Sequence, residues 1–228
     1  MKGRIPVRLY LASTSPARLM LLRQIGIEPV VVPSEVDEDA AVAQVEADRG
    51  AAGLGPLDAD SMVLLLARLK AEAVVGWMPD GSPIDGVIIG GDSAFEIDGV
   101  IHGKPHTAEV ARERWHSQRG ETGILHSGHW VIDHRGGEAR ESRGATARAT
   151  VTFAADISDA EIDAYIASGE PLKVAGAFTI DGLAAPFISA VSGAPSAVIG
   201  LSLPTLRTLL GELGIDWTSL WKTGRNGS

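Results

Sequence analysis

Val87-Ile88-Ile89-Gly90-Gly91-Asp92-Ser93 decides how this chain folds. Three consecutive apolar residues, all β-branched, followed by a glycine pair, are the pattern of a short strand buried on both faces of a parallel sheet. A strand is predicted over Val87–Ile89, with Gly90, Gly91 and Asp92 at its carboxyl end. In an open α/β sheet that end borders the crevice where ligands bind. Two glycines let a ligand approach the backbone closely. An aspartate there can hold a metal ion and orient water. It can equally be a turn residue that bonds its own backbone.

Upstream, a first strand is expected at about Val7–Ala12. Ser15-Pro16 then opens a helix, because Ser caps well and Pro suits the first helical position. Leu19, Leu22 and Ile25 or Gly26 mark its predicted buried stripe, and Gly26 ends it. Pro29–Val32 reads as a second strand. Asp39–Asp60 is rich in Ala, Gly and Asp and contains Pro56, so a mobile connection is predicted there. A helix follows from about Asp60 to Val75, with Val63, Leu66, Ala67 and Ala73 or Val74 on its apolar face.

Downstream, Phe95–Ile101 reads as a hairpin around Asp98-Gly99. Thr107–Arg119 is an amphipathic helix with Ala108, Ala111 and Trp115 on one side. Ile124–Asp133 and Ala145–Ala155 alternate like antiparallel strands. Ser158–Ala167 is a helix with a capping box, Ser158 and Glu161. Phe187–Val191 is a strand, and Pro204 starts a last helix bearing Leu206, Leu209, Leu210 and Leu213. The polar tail after Trp221 is expected to fray. Early alternation of helices and strands, with antiparallel strands later, argues for an α/β fold with a mixed sheet.

Composition narrows the function classes. A chain of 228 residues, 45% hydrophobic, fits one domain or two closely joined lobes. Its mean hydropathy of +0.12 speaks against wholesale disorder. The formal net charge is −9, and no cluster of Lys and Arg offers a surface for a nucleic acid polymer. No apolar run approaches the roughly 20 residues of a membrane span, so no membrane partner is expected. The absence of cysteine excludes disulfides, thiolate catalysis and zinc–sulfur sites. The cytoplasm is the default compartment. P-loop, nucleophile-elbow, zincin and dinucleotide-binding motifs are absent.

Four groups of residues could carry chemistry. In Ser13-Thr14-Ser15-Pro16-Ala17-Arg18, hydroxyls and an Arg gather at a helix N-terminus, where free N–H groups favour an anion. The same residues also make an ordinary cap. Ser34-Glu35-Val36-Asp37-Glu38 concentrates carboxylates of the kind Mg²⁺ or Mn²⁺ takes, or forms a solvated acidic loop. Asp92 is the third. Lys70 is the fourth, because it falls on the apolar face of its helix and must either snorkel to solvent or meet an anion. Lys104, in Gly103-Lys104-Pro105, is a similar lysine on a rigid loop. His126 and His129 lack metal-ligand spacing on a strand and are read as structural or surface groups.

The order and spacing of these blocks resemble the Maf family, the septum-formation-inhibitor-like nucleotide pyrophosphatases. The matching runs are LASTSPARLMLLRQIGIEPVVVPSEVDE, LARLKAEA, IIGGDSAFEIDGVIHGKP, YIASGEPLKVAGAFTIDGLAAPFI and SAVIGLSLPTLRTLL, from Leu9 to about Leu210. The resemblance implies a single domain with an elongated mixed sheet, flanking helices and two lobes around a central cleft, similar to inosine triphosphatase. It implies hydrolysis of nucleoside triphosphates to monophosphate and pyrophosphate with a divalent cation, Mg²⁺ or Mn²⁺, and it allows a homodimer. It gives catalytic roles to Asp92, Glu38, Lys70 and Lys104, metal binding to Asp92 and Glu38, and substrate binding to Ser13, Ser15, Arg18 and Asp181. Its name also carries an alternative, a non-catalytic regulator of cell division.

Three positions depart from the family pattern. Ala17 stands where many members have a first arginine. Lys173-Val174-Ala175-Gly176 replaces a D-K-A-G block. Phe178-Thr179-Ile180-Asp181-Gly182 replaces Y-G-I-Q-G, and Asp181 turns the expectation away from thymidine and uridine triphosphates. A carboxylate there could accept from guanine N1–H and N2–H₂ or favour a cationic methylated base.

Overall fold

The order of elements follows from local signals at their ends, with two corrections. The computed structural model describes residues 7–221. Strand β1 is Leu9–Ala12, and helix α1 is Pro16–Gln24. Ser15 caps α1 by accepting from Arg18 N, and Pro16 occupies the first turn as expected. Leu21 and Leu22 are buried in α1 while Leu19 and Ile25 are half-buried, so the buried stripe is rotated slightly from the predicted one. Gly26, at φ +82°, ends the helix. Strand β2 keeps only Val30–Val31 of the predicted segment.

The first correction concerns Asp39–Asp60. Most of it is not a mobile connection but helix α2, Glu38–Ala51. Asp37 caps it, accepting from Ala40 N at 3.0 Å. Alanine has the highest helix propensity, and this segment is full of it. No residue of α2 is buried, so no strong apolar stripe announced it. Helix α3 follows at Ala59–Ala73, capped by Asp58.

The second correction concerns Asp92. Strand β3 runs Gly86–Ile97, so Asp92 lies inside the strand rather than at its end. Parallel pairing with β1 stops at Ala12↔Gly90, and antiparallel pairing with β4 (Val100–His102) occupies Phe95 to Ile97. Asp92 sits between these two pairings. Gly, Asp and Ser disfavour strands, but the ladder overrides that preference. The β3–β4 turn has Asp98 at φ +50° and Gly99 at φ +75°, the positive pair a tight hairpin requires.

Helix α4 is Ala108–Gln118, strand β5 Thr122–His134, strand β6 Ser142–Phe153 and helix α5 Asp159–Ala167. The predicted capping box of α5 is present in both directions. Strand β7 is Ile188–Ser192, a short helix α6 is Pro195–Ile199, and α7 is Leu203–Glu212. Among the described residues the sheet has seven strands in the order β2-β1-β3-β5-β6-β7, with β4 on β3. The fold is mixed α/β, as the sequence pattern indicated. The tail expected to fray after Trp221 lies outside the described residues.

The chain divides into two compact units. The first comprises the chain through Asp92, Gly128–Thr146 and the chain from Leu203 onward. Ala12, Val74, Ile84, Ile88 and Ile132, with the ring of Tyr10, form a largely aliphatic core within it. The second comprises Ser93–Ser127 and Ala147–Ser202. Its core is aromatic: Trp115, Phe153, Phe95 and Phe178 meet edge to face, with ring centroids 5.0 to 6.0 Å apart. No helix among the described residues is long and apolar enough to cross a membrane.

Candidate active site

Lys70 is drawn onto the buried face of α3 by the helical period, and its side chain does not escape to solvent. The residue is 7% exposed. Its Nζ donates to Asp92 Oδ1 at 2.6 Å and contacts Glu38 Oε1 at 2.8 Å. One ammonium therefore bridges two carboxylates from different elements, the first residue of α2 and the middle of β3. Of the acidic run before α2, only Glu38 reaches this lysine. Asp37 is used as the cap, and Glu35 is exposed.

Arg18 adds a second cation. It is buried in the first turn of α1, and its Nη1 donates to Ser13 Oγ at 3.1 Å. Ser13 Oγ also accepts from Ser15 N at 3.2 Å, and Ser15 Oγ from Arg18 N. The hydroxyls thus cap α1 and orient its arginine at once. Burial lowers the Arg18 pKa from its ordinary value, while Asp92 and Glu38 pull it back up. Burial also raises the Asp92 carboxyl above the usual range, against the opposing pull of Lys70 and Arg18. A carboxylate raised in this way binds a proton more readily than an exposed one.

The two glycines before Asp92 have different tasks. A Cβ on Gly91 would approach Arg18 Nε at 3.3 Å, so this glycine leaves room beside the guanidinium. A Cβ on Gly90 would lie 2.0 Å from Ala67 O, so Gly90 makes room for α3 rather than for a ligand. That close approach, invisible to residue-type reasoning, is part of what lets Lys70 reach Asp92.

Glu38 Oε1 and Asp92 Oδ1 each come within 3 Å of the same ammonium, which fills the point between them. Among the described residues no group of three or more His, Cys, Asp or Glu forms a metal cage. Two carboxylates suit Mg²⁺, which is commonly held by one or two carboxylates together with substrate phosphates. The donor set therefore fits a divalent ion of that kind.

The remaining predicted residues lie in the second unit. Lys104 is exposed on the loop after β4, beside buried Pro105. Asp181 is exposed in the segment following Phe178. That segment is fastened by a residue the sequence reading missed. Glu170 accepts from Tyr165 Oη and Thr179 Oγ1 at 2.9 Å and from Leu183 N at 3.0 Å. Gln118 Nε2 and Trp115 Nε1 donate to the carbonyls of Gly176 and Ala177, at 2.8 Å each. His126 and His129 are both buried, which makes them structural rather than surface groups.

The family model for Maf-like proteins matches residues 8–213. The chain belongs to the Maf family. A protein of Leifsonia xyli subsp. xyli is 68% identical over 215 residues, covering 94% of this chain and 97% of the relative. One from Salinispora tropica is 48% identical, covering 98% and 92%. One from Nocardia farcinica is 46% identical, covering 94% and 96%. Each of these relatives is named nucleoside triphosphate pyrophosphatase. Of the departures from the Maf pattern, Ala17 and Val174 are half-buried and Asp181 is exposed.

Proposed function

We propose that this chain is a nucleoside triphosphate pyrophosphatase that releases a monophosphate and pyrophosphate. The observation that carries the reading is the bridged lysine, with Lys70 held between Asp92 and Glu38 and buried Arg18 beside them. The names of the Maf relatives support the same reaction. A purely regulatory binding protein has no need for a buried ammonium on two carboxylates, so that alternative is not favoured.

Water attacks the α-phosphorus, the bond to the bridging oxygen breaks, and pyrophosphate leaves with the electron pair. Asp92, whose carboxyl is raised by burial, takes the proton from the water. Lys70 and Arg18 neutralise charge that grows on phosphate oxygens, and Ser13 and Ser15 hold the arginine in place. A divalent ion, Mg²⁺ or Mn²⁺, bound by Glu38 and Asp92 would supply Lewis-acid neutralisation of the phosphates. Lys104 adds a further cation for phosphate on this reading. Asp181 selects the base by accepting from donors such as guanine N1–H and N2–H₂, or by attracting a cationic methylated base. The cellular task is removal of non-standard or modified nucleotides.

The test is incubation with Mg²⁺ or Mn²⁺ and a panel of ordinary and modified nucleoside triphosphates, with pyrophosphate and orthophosphate measured separately. Pyrophosphate release is expected, reduced about 10³-fold in Asp92→Asn. Orthophosphate alone, or no turnover by folded protein, would sink the reading. Asp181→Gln is expected to reorder the base preference, and an unchanged order removes Asp181 from base selection.

A further inference from the structure

Helix α3 lies unusually close to the sheet beneath it. A Cβ built on Gly128, in β5, would meet Val63 O at 2.1 Å, Val63 C at 2.4 Å and Leu64 N at 2.8 Å. A Cβ on Gly90, in β3, would meet Ala67 O at 2.0 Å and Ala71 N at 2.9 Å. β3 and β5 are neighbours in the sheet. Residues 63, 67 and 71 follow one another by four, so successive turns of one helix face rest directly on two glycines. In both cases the obstacle is main chain, which cannot rotate away as a side chain can. Lys70 projects from the same buried face, between the turns that Gly90 accommodates.

We propose that Gly128 is a positioning residue for the reaction. It touches none of the reacting groups. Its lack of a side chain sets the height of α3 above the sheet, and that height brings Lys70 Nζ to 2.6 Å from Asp92. A methyl group at 128 must push main chain apart by about 1 Å to restore ordinary contact, and a displacement of that size at a reacting centre costs roughly 100-fold in rate. The inference rests on the pyrophosphatase reading for its kinetic arm only.

Gly144, in β6, supplies a control against the same helix. A Cβ there would meet side chains, Trp130 Cε3 at 2.2 Å and Leu64 Cδ1 at 3.1 Å, and not the α3 main chain. Repacking should therefore absorb Gly144→Ala at a cost in stability alone. In full-length protein, at a temperature where both variants are folded, Gly128→Ala is expected to lose about 100-fold in kcat with KM within threefold. Gly144→Ala should keep kcat within threefold. If Gly128→Ala does not fold, Ala71→Val wedges the same helix upward from its own side and should give the same kcat loss.

A second readout is independent of turnover. In ¹⁵N-lysine-labelled protein, the Lys70 ammonium should exchange slowly in the parent chain and in Gly144→Ala, and rapidly in Gly128→Ala or Ala71→Val. Equal kcat losses at 128 and 144, or an undisturbed Lys70 signal in the wedged variants, would overturn the proposal. Absence of pyrophosphate release by the parent chain would instead overturn the assigned reaction, and the exchange measurement would still decide the helix height.

Discussion

Asp92 and Glu170 are both carboxylates gripped by several partners, one in each unit, and they are held in opposite ways. Asp92 is buried and faces charged partners, Lys70 and Arg18, together with the like charge of Glu38. Burial wins, and its pKa is raised. Glu170 is also pushed up by burial, but hydrogen bonds from Leu183 N, Thr179, Tyr165 and Ala184 N together outweigh it, and its pKa is lowered. The same burial and the adjacent Glu170 hold the Tyr165 phenol protonated far above its ordinary range. A carboxylate filled with neutral donors is content as an anion and serves as a fastener. A buried carboxylate held mainly by charges remains ready to exchange a proton or a partner, which is what a reacting group needs.

Removing the charge at the first centre should have the larger effect. Lys70→Met is expected to lower kcat by about 10²–10³-fold, because the main neutralising cation is gone. It should also cost on the order of 3 kcal/mol in stability, because it leaves Asp92 buried without its closest partner. Chemical denaturation and steady-state kinetics on the same preparation check both figures. A Lys70→Met protein that is more stable and still turns over would erase the contrast between the two carboxylates.

The second centre should yield a smaller, purely structural loss. Glu170→Gln is expected to destabilise by about 1–3 kcal/mol, because an amide turns a donor toward N–H and O–H groups that need an acceptor. The sign of its pH dependence sharpens the comparison. The folded pKa of Glu170 lies below its unfolded value, so its stabilising contribution is fully present above the unfolded carboxylate pKa. That contribution is lost as pH falls through the folded one. The stability gap between parent and Glu170→Gln should therefore be constant near neutrality and close only in acid. Asp92 runs the other way: its raised pKa means that ionisation weakens the fold as pH rises. A gap at 170 that widens in acid would show that Glu170 is not held as an anion.

What the sequence revealed, and what it hid, follows the range of the interactions. The cap of α1, the Asp98-Gly99 hairpin and the Ser158–Glu161 box depend on neighbours within a few residues, and all were legible. Lys70 was legible because a charge on an apolar stripe breaks the 3.6-residue pattern. Helix α2 was hidden because it buries nothing, so Gly50 and Pro56 suggested a loop. The length of β3 was hidden because Gly90 to Ser93 are poor strand formers that only the pairing of distant strands holds extended. Glu170 and Gly128 gave no local sign at all. One is defined by donors from Tyr165, Thr179 and Leu183, and the other by the main chain of a helix some sixty residues earlier.

The pairing of β1 with β3 also fixes when Arg18 can come beside Asp92. Tyr10 lies opposite Ile88, and the chain between them must first thread α1, β2, α2 and α3. Parallel closure across so long a stretch is slow, whereas the β3–β4 hairpin and the capped α5 need only their own neighbourhoods. During refolding, helical signal should therefore return before Arg18 and Asp92 are brought together. Turnover should therefore return only with the last phase of refolding, and activity that recovers together with the helical signal would break this order.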